Sequence, residues 1–191
     1  MKLLLATLFA PCLLTPPAAT VDKWVIEKNS NLCIEGKSNI SSFQCDVVQY
    51  LRTDTIFIYK NDPRLFTAKG GLSIDVNTFD CHQRQITADL RKTLKAGQCP
   101  LKIDLLTIGS FPAATGDYRT TGWVAIQLAG IVRKLEVNYI VQVEKDGSIQ
   151  LTGSQQVLFS DFGLTPPRKL AGLIKVEERL NVRFRLILRA V

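Results

Sequence analysis

The side chains able to do chemistry are few: five cysteines and a single histidine in 191 residues. Cys33, Cys45, Cys81 and Cys99 lie at least twelve residues apart, and His82 is the one histidine, so the close ligand pairs that hold zinc do not occur. No metal and no cofactor is expected. His82 follows Cys81 and could be half of a nucleophilic dyad. Neither a Gly-x-Ser-x-Gly turn nor a zinc signature accompanies it, so it reads as a surface or capping residue beside a turn. Asp161-Phe162-Gly163 echoes the magnesium loop of kinases in letters only, since no glycine-rich phosphate loop or catalytic loop is present; Asp161 reads as a turn aspartate. With no clustered acids or histidines and no nucleophile turn, the chain is not read as an enzyme.

The cysteines take their meaning from the N-terminus. Lys2 precedes an apolar run, Leu3 to Leu14, too short to span a bilayer, and Pro17, Ala18 and Ala19 put small residues before a cut. Residues 1–19 are read as a secretory signal peptide and residues 20–191 as one domain. Phe9, Ala10 and Pro11 make a poor lipid-attachment box for Cys12. Four cysteines remain in an exported chain, and an even number there points to disulfides, with three connectivities open. The similar contexts Ser42-Phe43-Gln44-Cys45 and Thr78-Phe79-Asp80-Cys81 favour pairing Cys45 with Cys81.

The elements that must position these residues alternate almost throughout. From Leu180, the apolar set Leu180, Val182, Phe184, Leu186 and Leu188 opposes Asn181, Arg183, Arg185 and Arg189, the period of two of a half-buried strand. Leu32, Ile34 and Gly36 oppose Cys33, Glu35 and Lys37; Leu72, Ile74 and Val76 oppose Ser73, Asp75 and Asn77. Leu101, Ile103 and Leu105 oppose Lys102 and Asp104, and Leu135 to Val143 repeats the pattern. Turns at Asn61-Asp62-Pro63, Gly116-Asp117 and Asp146-Gly147 separate these runs, the last as a tight hairpin. One segment departs. Ile86, Leu90 and Leu94 recur every four residues, Thr87 can cap the first turn, Asp89 sits near the positive end and Gly97 supplies a stop. A short amphipathic helix follows. A mostly antiparallel sheet with one helix must close into a barrel or stack as a sandwich.

The net charge of +7 is dispersed, which names no partner. Arg183, Arg185 and Arg189, with Arg179 nearby, form a basic strand edge of the kind that blocks edge pairing. No aromatic residues interleave on that face, so no nucleic-acid partner is expected. Asn39-Ile40-Ser41 fits a glycosylation acceptor and is assigned no role.

Several features in order resemble the YceI-like family: Trp24, the run through Ile34, the segment from Asp89 to Pro100 with Leu90-Arg91 and Cys99-Pro100, the glycine followed by Ile131 and Arg133, and Asp161-Phe162-Gly163 before a final long strand. The resemblance spans residues 20–191. It implies an all-β fold, a lipocalin-like extended antiparallel β-barrel of about eight strands with one short amphipathic helix, in the bacterial periplasm or secreted. It also implies a polyisoprenoid or other long-chain lipid held in the interior. Asn29, Asn31, Ser38 and Asn39 stand where many family members carry histidines.

The apolar strand faces then supply the cavity lining: Leu32, Ile34, Leu72, Ile74, Leu101, Ile103, Trp123, Leu135, Val137, Phe159, Phe162, Leu180, Val182, Phe184 and Leu186. The competing reading is an envelope structural or interaction protein in which the same side chains fill the barrel and the surface does the work. A symmetric homodimer is compatible with either.

Overall fold

Alternation at period two is realised as strand almost everywhere the sequence shows it. The structure, a computed structural model, describes residues 20–48, 50, 52–94 and 100–191. The expected signal peptide, Gly97 and Cys99 lie outside the described residues. In chain order the elements are β1 (Thr20–Ile26), β2 (Asn31–Ser38), β3 (Ser42–Val47), β4 (Thr55–Lys60), β5 (Leu65–Ile74), β6 (Phe79–Asp80) and the helix α1 (Arg84–Thr93). Then follow β7 (Leu101–Leu105), β8 (Thr107–Gly109), β9 (Gly116–Leu128), β10 (Ile131–Val143), β11 (Ile149–Leu158), β12 (Arg168–Lys169) and β13 (Ile174–Ala190).

Eight of these strands close a ring in the order β1-β4-β5-β7-β9-β10-β11-β13 and back to β1, every pairing antiparallel. This is the expected barrel, and closure satisfies the strand edges that an open sheet would leave unpaired. The length of β13 makes a branch possible. Its last residues pair with β1 (Leu188↔Ile26), while Val176 to Arg185 pair with β2, so β2, β3 and β6 form a leaf extending from the ring. The β9–β10 hairpin turns through Ala129 (φ 50°) and Gly130 (φ 83°), both left-handed, which matches the twist of the thirteen paired positions on either side. The turn expected at Asp146-Gly147 is present: Glu144 N donates to Ser148 O and Gly147 N to Glu144 O. At Gly71 the backbone of β7 comes so near that a Cβ would lie 1.9 Å from Ile103 O, so no larger residue fits that contact.

The helix forms, but earlier than its periodicity suggested. It begins after Gln83, which makes no side-chain cap, and Thr87 sits within it. The Thr87 hydroxyl instead accepts from Cys81 N (2.9 Å) and donates to Asp80 Oδ1 (3.2 Å), tying the helix to the strand before it. Asp89 lies mid-helix and pairs with Lys169 (2.7 Å), so a tertiary contact replaces the expected dipole role. Leu90 and Leu94 are buried and Ile86 packs on the core, as the four-residue spacing requires. Arg91 donates from Nε and Nη2 to Phe79 O at 3.0 and 2.7 Å. Cys45 of β3 and Cys81 form a disulfide, the pairing favoured by their matching contexts. Cys33, also a disulfide candidate, has no sulfur partner among the described residues. It sits on the outer parity of β2, opposite Asp46 and Arg183, whereas Cys45 points inward beside Ile34.

Candidate functional site

The barrel interior is apolar along most of its length, and a cavity near each end is separated from the other by packed side chains. At the end where β2, β9 and β11 finish and β13 begins, a cavity of about 40 Å³ is bounded by Leu32, Ile34, Leu101, Ile103, Phe159, Phe162, Leu180 and Val182. All eight are among the lining residues expected from strand parity. Leu94, Ile126, Leu128, Val157, Leu158 and Leu164 complete it. The turn Phe159–Phe162 roofs this cavity: Asp161 Oδ2 accepts from Leu158 N, Gly163 takes a left-handed φ of 62°, and Arg133 Nε donates to Asp161 O at 2.6 Å. Asp161 is therefore the turn aspartate expected, and Arg133 fastens the β9–β10 hairpin to the roof.

Leu72, Ile74 and Leu186 face the interior a layer deeper, around Ser30, Val47 and Tyr50. Val137 is buried in the core, and Leu135 and Phe184 pack on it half-buried. Phe184 meets Tyr139 edge-on with centroids 5.7 Å apart, its ring in the space that a side chain at Gly153 would need. With Val141 and Leu151, both essentially inaccessible, this pair forms a packed plug on the β10–β11–β13 wall between the two cavities. Burial pushes the Tyr139 phenol above the ordinary tyrosine value, and its Oη has no hydrogen-bond partner among the described residues.

Beyond the plug lies the larger cavity, about 310 Å³, lined by Trp24, Ile58, Phe66, Phe111, Val143 and Ile149. Sequence reasoning missed these residues, although Ile56, Ile58, Phe66 and Ala68 carry the same period-two signal on β4 and β5. The Asp22–Lys60 ion pair (2.6 Å) stands at its rim, with Lys60 Nζ 6.0 Å from the Phe66 ring centre. Trp24 Nε1 is buried and has no hydrogen-bond partner among the described residues.

One expected lining residue is not inside. Trp123 is 45% exposed on the outer face, because Gly122, Val124, Ile126 and Leu128 take the inward positions of β9 and parity then directs Trp123 outward. The arginine face of β13, a strand paired on both sides rather than an edge, is also outside, beside a trough of about 750 Å³ that crosses β9, β10, β11, β13, β2 and β3. Arg183 pairs with Glu35 (2.5 Å), Arg189 with Glu27 (3.1 Å) and Asp146 (3.5 Å), and Arg185 donates to Asn29 O.

Cys81 is consumed in the disulfide, and exposed His82 lies 3.1 Å from Asp46 Oδ2. Burial alone would raise the Asp46 carboxyl, but hydrogen bonds from His82, Gln44 and Cys33 outweigh it and hold the group below its ordinary value. Burial pushes the Cys33 thiol up to about 11, despite the opposing Arg183 guanidinium, so it stays protonated at neutral pH.

The geometry defines a closed lipocalin-like barrel whose inner surface offers apolar contact and almost no polar chemistry. Solved structures share the fold. A polyisoprenoid-binding domain from Saccharophagus degradans, implicated in plant cell wall breakdown, aligns with a TM-score of 0.61 at 14% identity, covering 88% of this chain and 98% of that one. BcnA of Burkholderia cenocepacia aligns with a TM-score of 0.54 at 13% identity, covering 83% and 95%. No protein-family model and no curated protein matches the chain.

Proposed function

We propose that this protein is an exported binding protein that holds a polyisoprenoid or similar long apolar amphiphile in its barrel, as a carrier or a sequestering agent. The observation that carries the reading is the interior itself: apolar walls along most of its length, with a 310 Å³ cavity at one end, at the lower limit of the size that small-molecule sites occupy. Each buried methylene contributes about 0.8 kcal/mol, so an isoprenoid tail needs no polar contact to bind tightly. The fold shared with a domain named for polyisoprenoid binding supports the same class of ligand. The disulfide and the residues 1–19 segment support an exported protein in the periplasm or outside the cell. A chain longer than the larger cavity has to displace the Tyr139–Phe184 plug, because the smaller cavity of about 40 Å³ has room for little more than a water molecule.

That plug favours the second reading, a filled barrel that works through its surface. Native mass spectrometry with lipid extraction, on protein purified from a bacterial envelope, separates the two. The carrier reading expects a bound species in the isoprenoid mass range that Val182→Trp or Ile58→Trp displaces without unfolding the domain. Empty protein that also takes up no isoprenyl lipid when offered it leaves the filled barrel.

A further inference from the structure

We propose that the end of the barrel carrying the β2–β3 turn and the loop from β12 into β13 is a docking surface for an anionic lipid bilayer. Three large apolar side chains stand out there with almost no protein around them: Ile40 is 67% exposed, Leu170 67% and Leu173 74%. Leu170 and Ala171 hold left-handed backbone (φ 50° and 53°), which L-residues adopt at a cost, so the loop is kept in a form that thrusts the leucines outward. The two loops are fastened together by one side chain. Asn39 Nδ2 donates to Leu173 O, Asn39 Oδ1 accepts from Lys175 N, both at 2.8 Å, and Asn39 N donates to Lys175 O. Ile40 and Leu173 are thereby presented on one tip.

The charges around the tip identify what covers it. Arg168 and Lys175 are direct cross-strand partners, an arrangement that repels unless an anion lies over it. Neither they nor the neighbouring Lys37 has an ion-pair partner among the described residues. Of the adjacent carboxylates, Glu178 accepts from Ser160 N, and Glu177 faces outward between Lys175 and Arg179. Apolar side chains that project singly, flanked by unpaired cations, match the headgroup and acyl boundary of a bilayer containing anionic lipid. A protein partner of ordinary size would instead need a broad complementary patch. The turn that precedes β12 supplies Phe159, Phe162 and Leu164 to the wall of the smaller cavity, so docking would set that end of the interior towards the membrane. The inference deepens the carrier reading by naming the source of the lipid and rests on that reading for its purpose, although membrane binding itself does not.

The test is flotation of the purified protein with phosphatidylglycerol–phosphatidylcholine vesicles and with phosphatidylcholine vesicles alone. Wild type is expected to float with the anionic vesicles, and less so at high salt. The combined variant Ile40→Ser, Leu170→Ser, Leu173→Ser is expected to lose at least about tenfold in partitioning, and Arg168→Gln and Lys175→Gln about fivefold each. These positions are exposed, so unchanged thermal melts should confirm that the variants fold. In a Leu173→Trp variant the added emission should shift to the blue on the vesicles. Failure of wild type to float, equal flotation of the serine variant, or an unshifted emission from the Leu173→Trp variant would overturn the proposal. Serine variants that lose the vesicles yet retain bound isoprenoid keep the carrier reading intact; vesicle binding by a protein that takes up no lipid keeps the docking surface and removes the carrier.

Discussion

Removing the Cys45–Cys81 disulfide should cost this protein a large part of its stability, and the size follows from where the bridge lies. The cysteines are 36 residues apart, and cross-linking a loop of that length withdraws chain entropy worth about 4 kcal/mol from the unfolded state. The bridge joins β3 to the residue that follows its partner strand β6, just ahead of α1, and both cysteines are buried, at 0% and 4% exposure, so alanine replacements also leave unfilled volume. A domain with total stability of about 5–15 kcal/mol cannot absorb such a loss unnoticed. For a urea slope of about 2 kcal/mol per molar, the midpoint of the Cys45→Ala, Cys81→Ala variant should fall by about 2 M. Dithiothreitol should move wild type most of the way to the variant, short of it by the cost of the unfilled volume, and leave the variant unmoved. A difference below about 1 kcal/mol between wild type and variant would refute the reasoning, since it would mean that β3 and β6 are held together without the cross-link or that the sulfurs are not joined. Two separate transitions would instead show that the leaf of β2, β3 and β6 unfolds independently of the ring.

Further expectations concern single groups. In a Cys99→Ser background the Cys33 thiol should resist dithionitrobenzoate at about pH 8 until the protein is unfolded. Because its folded pKa is raised to about 11, its contribution to stability is present below the unfolded value of 9.0 and fades as pH rises through that window; denaturant titrations of wild type and Cys33→Ala from about pH 8 to about pH 11 would read it. Asp54 accepts from Tyr50 Oη (2.6 Å) and Ser73 N (2.9 Å), so Asp54→Ala strands two partly buried donors and should cost about 2–3 kcal/mol in chemical denaturation, against about 1 for Tyr50→Phe. Trp123→Phe should change stability by no more than about 0.5 kcal/mol while removing the acrylamide-accessible share of the fluorescence, leaving the buried Trp24. Loss of lipid uptake in that variant would contradict its outward position.

The fit between pattern and structure is closest where a strand's own alternation is unambiguous. Leu180, Val182 and Leu186 on β13, Leu32 and Ile34 on β2, and Leu101 and Ile103 on β7 all face inward, because neighbouring side chains of a strand must point to opposite sides. Trp123 fails on the same rule: placing an indole inside looked reasonable, yet parity counts from Gly122 and Val124, and the small residue marks the inner side. Thr87 fails because a hydroxyl near a helix start serves as a cap only if the backbone turns there. Its bonds to Cys81 and Asp80 depend on a strand end that local pattern does not locate.

By itself the sequence determined the alternating strands, the hairpin at Asp146-Gly147 and the existence of one helix, since each depends on residues within a few positions of one another. Tertiary structure decided the closure of β13 onto β1, the choice of Cys45–Cys81 among three connectivities, the plug of Tyr139 and Phe184, and the unequal cavities on either side of it. The second group depends on how side chains from distant strands fill a shared volume. Packing of that kind is a property of the assembled interior, and no local periodicity encodes it.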